Sequence, residues 1–200
     1  MGQVMQITVT ADVKKARRQL DLIERKQIPY AASLALNDVA FASRKAEIAL
    51  QANVIDNPTP FTKRGFKVHK SNKRDLEAVL EIPPAQWKYL RHQVRGGASV
   101  RNHAIPVNHS LENKYGGLPR RKAITLAKRK NHFSATLNGT AGVWKRESDG
   151  SLSLQILFKP KTTQRKKYPF GKATKRLVAA RWSSTFDKRL RAILIRERAR

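Results

Sequence analysis

The last forty residues leave their helix one way to pack. After "YPF" (168–170), Val178, Trp182, Phe186, Leu190 and Ile193 recur at helical spacing and predict a single apolar stripe. Residues 161–200 also carry 14 Lys or Arg against 2 Asp or Glu, so the other faces are cationic and only the stripe can turn inward. The imbalance extends through the chain, where 42 basic residues stand against 14 acidic ones for a net charge of +28. A compact body of that charge repels itself unless a polyanion or acidic neighbours sit beside it. Nucleic acid is the first partner such a chain implies, and a membrane surface the second. Hydrophobic residues make up 40% of the chain, too many for a basic tail. A domain of this length buries roughly 70% of its unfolded surface, so the charge is expected on the outside of a folded core.

Two further features narrow the class. The chain has no cysteine, which removes disulfide frameworks and thiolate chemistry. "MGQVMQITVT" lacks the apolar core of a secretory signal and has Gln6 where myristoylation needs Ser or Thr. No apolar run approaches the length of a membrane span, so a soluble protein is expected.

Val4 to Thr10 alternate in polarity and predict a short strand. Asp12 can cap a helix whose Val13, Ala16, Leu20 and Ile23 share a face. A longer, Ala-rich helix is expected over "QIPYAASLALNDVAFASRKAEIALQANV", with Pro29 in its first turn and a stop at "DNPTPFT". Its small residues permit close approach by another helix or another subunit. "GFKVHK" and "LEAVLEI", separated by "SNKRD", predict a hairpin. "PPAQWKYLRHQVRGG" predicts a short helix ending at its glycines. Ala98 to Arg121, rich in Gly, Pro and Asn, are expected as an extended surface loop. "TAGVWKR" and "SLSLQILFKP" form a second hairpin across Asp149-Gly150. The sum is an α+β fold: N-terminal helices and a C-terminal amphipathic helix packed on an antiparallel sheet, with a long basic loop insertion. It is expected as one domain over 1–200, with the irregular insertion at about 91–132.

Sites of chemistry are sparse. His103 and His109, with Asn108 and Asn113 nearby, echo the His-Asn-His composition of some metal-dependent nucleases. That chemistry needs a base on a strand and metal ligands on the following helix, whereas this stretch predicts as loop, with Glu112 its only nearby carboxylate. No zinc spacing, phosphate-binding glycine loop or dinucleotide fingerprint is present. Ser110, Ser134, Ser183 and Ser184 have no base and orienting group around them. No enzyme, metal or cofactor is therefore expected. The strongest local feature is "NKYGGLPRRKAITLAKRK" (113–130), read as a basic loop leading into a short helix. Basic residues run from Lys14 to Arg200 without a helix-turn-helix pattern or a spaced aromatic platform, so any nucleic acid would be held by its phosphates rather than its sequence. Phe133, Trp144 and Phe158 fit core positions better than stacking positions.

Six stretches, in order, resemble the phage minor tail protein Z family, the tail-completion proteins of long-tailed phages. They are "QIPYAASLALNDVAFASRKAE", "NPTPFTKRGFKVHKSNKRDLEAVLEI", "NKYGGLPRRK", "HFSATLNGTAGVWKR", "LQILFKPKTTQRKKYPF" and "AARWSSTFDKRLRAIL". The loop Ala98 to Glu112 departs from that pattern. The resemblance implies a structural virion component of the tail or neck, found in the virion and in the host cytoplasm during assembly. It would form a ring homo-oligomer around the DNA channel, contact other phage neck and tail proteins, and touch packaged double-stranded DNA through its phosphates, with no membrane partner and no cofactor. The residues expected to face DNA or a partner are Lys114, Arg120, Arg121, Lys122, Lys128, Arg129, Lys130, Arg165, Lys166, Lys167, Lys172, Lys175 and Arg176. A free nucleic-acid-binding protein without sequence preference is the alternative.

Overall fold

The computed structural model describes residues 5–11 and 22–199, without the side chains of 22–26 and 198. In chain order its elements are β1 (Met5–Thr10), α1 (Leu22–Val54), α2 (Pro60–Lys63), β2 (Lys67–His69), β3 (Glu77–Ile82) and α3 (Pro84–Arg95). There follow β4 (Gly97–Pro106), a 3-10 turn at His109–Leu111, α4 (Lys122–Ala127), β5 (His132–Leu137), β6 (Thr140–Arg146), β7 (Leu152–Gln164) and α5 (Lys172–Arg198). The architecture is α+β, and all strand pairings are antiparallel. The elements gather into two compact units, one of residues 1–55, 60–91 and 168–200, the other of 56–59 and 92–167.

In the first unit, α1 and the C-terminal helix α5 pack along one another, and a three-stranded sheet of order β1-β3-β2 lies with α1. α1 buries Ile28, Ala31, Ala32, Ala35, Leu36, Val39 and Ala40 on one face. The small alanine side chains there are core contacts, and they let other elements approach the α1 backbone closely. The stripe on α5 turns inward as its periodicity requires. Ile193 is buried, while Trp182 stacks on Phe186 at 5.8 Å and packs against Leu36, Ala40 and Ala78. Arg189 then clasps Asp38 of α1 through two parallel hydrogen bonds, Nε to Oδ2 at 2.6 Å and a terminal nitrogen to Oδ1 at 2.8 Å.

Two local expectations are corrected here. Pro29 does not open α1; the helix is already formed at Leu22 and continues through the proline. The amide hydrogen bond that proline cannot make is offset by burial of Ile28 and the alanines that follow it. The stop at "DNPTPFT" holds, with α1 ending at Val54, but Pro60, expected only as a breaker, also opens the four-residue helix α2, where its missing N–H costs no helical bond. The helix expected from Asp12 through Leu20 lies outside the described residues.

At the centre of this unit is an acidic residue. Glu47 of α1 is 0% exposed, and its carboxylate faces the first turn of α5. Oε1 accepts from the Gly171 amide at 3.0 Å, the Thr174 amide at 3.2 Å and the Thr174 hydroxyl at 3.0 Å. Oε2 accepts from the Tyr168 hydroxyl at 2.7 Å. Gly171, the residue before α5, has φ +87° and no side chain to cap the helix. Glu47 therefore supplies the cap from another helix, placing a negative charge where free amides and the helix dipole favour one. Burial, together with the charge and hydrogen bond of Glu47, pushes the Tyr168 hydroxyl well above the usual tyrosine range. Phe66 meets the Tyr168 ring edge-on and stacks on Phe170, closing the site to water.

The second unit is a four-stranded sheet of order β4-β7-β6-β5 with α4 packed on it. Its core is small: Leu126, Val143 and Ile156 are buried, with Ala104, Leu111, Leu118, Ala123, Ala127 and Phe158 around them. Phe133, Trp144 and Phe158 are half-buried in this unit, and the Trp144 indole donates to the Ala135 carbonyl. The β6–β7 hairpin forms where Asp149-Gly150 predicts it, with Gly150 at φ +83°. A third correction falls here. The stretch expected as loop from Ala98 to Arg121 begins with a ten-residue strand, β4, paired to β7 from Gly97↔Gln164 to Pro106↔Ile156. Its sequence lacks clean alternation because a bulge at Arg101 and Asn102 resets the register, and its partner residues lie 50 or more positions away.

Candidate nucleic-acid interface

The segment 113–130 is built by turns around a buried leucine. Asn113 accepts from the amides of Tyr115 and Gly117, folding the glycine turn, and the Lys114 ammonium lies 5.3 Å from the Tyr115 ring centre. Arg121 adopts φ +63° immediately before α4, a left-handed conformation that turns the chain into the helix. α4 is amphipathic over barely two turns. Leu126 is buried with Ala123 and Ala127 beside it, which leaves the flanking cations outside. Arg120, Arg121, Lys128, Arg129 and Lys130 are exposed, and Lys122 is half-buried. The stretch is thus a cationic turn and a short helix, held down by one apolar anchor.

The other candidates fall at two places. Arg165, Lys166 and Lys167 follow β7 in the second unit and are exposed; the Lys167 amide donates to the Gln93 carbonyl, which fixes the strand's end to the last turn of α3. Lys172, Lys175 and Arg176 are exposed on the first turns of α5 in the first unit. Ten of the thirteen therefore belong to one unit and three to the other.

Internal pairing cannot cancel this charge. With 42 basic and 14 acidic residues, even one cation for every acid leaves 28 unpaired. One acid is already committed elsewhere, since Glu47 is enclosed by hydroxyl and amide donors. Among the described residues, Lys167 alone of the thirteen candidates forms an ion pair, 3.7 Å from Asp56, whose side chain is 94% exposed; such a pair contributes little.

His103 and His109 lie on different elements. His103 lies on strand β4, not in a loop, with Nε2 3.2 Å from the Ser99 hydroxyl. His109 sits in the 3-10 turn, 2.7 Å from the Glu112 carboxylate. Among the described residues no three His, Asp or Glu side chains stand together as metal ligands. None of the described helices is long and apolar enough to cross a membrane.

Fold and surface together define an α+β protein of two units with cations facing outward from both. Comparison with protein-family models, curated proteins and solved structures finds no match.

Proposed function

We propose that this protein is a structural component of a bacteriophage particle, acting in the neck or at the completed end of the tail. Copies of it surround the DNA channel, and the packaged duplex and acidic neighbours neutralise their charge. The observation that carries this reading is a folded body with 28 more basic than acidic residues, whose described Lys and Arg side chains are all exposed or half-buried. Self-repulsion opposes any close ring of such bodies until an anion enters it. The ordered likeness of six stretches to tail-completion proteins supports the same reading.

Charge alone favours equally a free nucleic-acid-binding protein, and the two readings differ in where the molecule resides. A virion component sediments with purified particles at a fixed copy number, as read by quantitative mass spectrometry. Arg120, Arg121 and Lys122 all replaced by Glu should lower infectious yield by about an order of magnitude or more, while circular dichroism and thermal unfolding stay near wild type. Unchanged yield removes this patch from the interface. A protein found only free of particles removes the virion reading.

A further inference from the structure

We infer that the two-stranded part of the β4–β7 pair is a contact surface for the phosphate backbone of duplex DNA. β6 pairs with β7 only as far as Leu157, so from Phe158 to Gln164 β7 is paired with β4 alone. That ribbon is about 20 Å long, from six residue steps of about 3.3 Å each. Its two faces differ. On one face Phe158, Thr162 and Gln164 are half-buried, with Pro160 exposed opposite the bulge, and the Gln164 side chain accepts from Gln93 of α3 at 3.1 Å, which ties down the end of this face. The alternate residues Lys159, Lys161 and Thr163 are exposed, and Arg165 continues their row. Cross-strand register puts His103, Val100 and Ala98 on the same outer face. Val100 is 76% exposed there, and Arg101 stands exposed at the bulge.

Three properties select the ligand. No Asp or Glu occurs anywhere in 83–111 or 150–186, so neither strand carries an acid, and Lys159, Lys161 and Arg165 form no ion pair with the described residues. Cations on alternate residues of a strand repeat at about 6.6 Å, close to the ~6.8 Å rise of two nucleotides along one DNA strand. The backbone carrying them is hydrogen-bonded and anchored, which suits a stiff duplex better than a flexible strand. A single-strand groove needs exposed aromatics for stacking, yet the exposed aromatics Tyr30, Phe41, Phe61 and Tyr89 all belong to the first unit. Arg101, Lys159 and Lys161 add to the cations read from the sequence, and the ribbon gives Lys159 and Lys161 a common face with Arg165. The inference rests on the polyanion part of the proposed function, not on residence in a virion.

The test measures binding of the full chain to a 30-base-pair duplex across a salt series. The outer-face variant K159E/K161E/R165E is compared with K63E/R64E/K67E, an equal charge change at exposed positions of the first unit. The outer-face variant should bind more than about tenfold more weakly, and its log–log salt slope should shrink by about 2.7, or 0.9 for each phosphate no longer neutralised. The first-unit variant should change less on both measures. Equal weakening in the two variants, or an unchanged slope in the outer-face variant, overturns the ribbon and leaves the polyanion reading standing. Failure of wild type to bind duplex in moderate salt defeats that reading itself. Single-stranded DNA or polyglutamate binding as tightly as duplex, with the same sensitivity to the ribbon variant, overturns the choice of ligand. K159A/K161A/R165A serves if the Glu variant unfolds, with about the same slope change expected because the same three cations are removed.

Discussion

The two units solve one problem, enclosing a core beneath a cationic surface, by different means. The first has two long helices, an alanine-lined face and a buried carboxylate that caps α5 from α1. Its order depends on a single charged side chain meeting four donors. The second has four buried apolar residues, Val94, Leu126, Val143 and Ile156, a four-stranded sheet and tight turns, and depends on backbone geometry. Buried charge gives the first unit one arrangement of its helices, because any other leaves Glu47 unsatisfied. The second unit has no such constraint, and its small core leaves most of its side chains available to the surface.

Breaking the Glu47 site is the severest test of this contrast. Glu47→Leu strands the Tyr168 hydroxyl and the α5 amides, and should lower unfolding free energy by about 3–5 kcal/mol in urea titrations, with Glu47→Gln recovering part of it. A loss under about 1 kcal/mol would mean the carboxylate does not organise the unit. The corresponding weak point of the second unit is Gly142 on β6. A Cβ there would strike the Ile156 carbonyl oxygen and come 2.6 Å from Leu154 Cδ1. Gly142→Ala should cost about 1–3 kcal/mol, seen as faster amide exchange in β5, β6 and β7 with α1 amides unaffected. Equal acceleration in α1 would show the units to be one cooperative body.

The smallest effect sharpens the comparison through pH. Tyr168 stays protonated in the folded chain above the pH at which a free tyrosine ionises, near 10.0. The unfolded state then loses a proton that the folded state keeps, so stability falls as pH rises past 10. Wild type should lose up to about 1.4 kcal/mol per pH unit more than Tyr168→Phe in that range. Parallel curves for the two proteins would place the Tyr168 hydroxyl in contact with water.

Much of the outline is legible before folding. The α5 stripe, the Ala-rich body of α1, the β2–β3 hairpin and the β6–β7 turn at Asp149-Gly150 all follow from local periodicity and turn chemistry. β5 is not among the predicted strands, although it carries a usable signal. Asn138-Gly139 between "HFSATL" and "TAGVWKR" is a hairpin turn, and both residues have positive φ, at 48° and 76°. β4 has no comparable signal, since its bulge breaks alternation and its hydrogen bonds come from a distant strand. The thirteen candidate cations can be named from the sequence, but not their division between the units or the common face of Lys159, Lys161 and Arg165.

Charge, helix amphipathicity and turn residues are local properties, so the chain by itself determined that this protein has a cationic exterior, two long packed helices and antiparallel hairpins. Glu47 looks like any polar residue of a helix until Tyr168, Gly171 and Thr174 arrive from more than 120 positions away. Only the tertiary structure could make it the centre of a core. A buried charge is tolerable only where several donors converge, and convergence is a property of the folded chain.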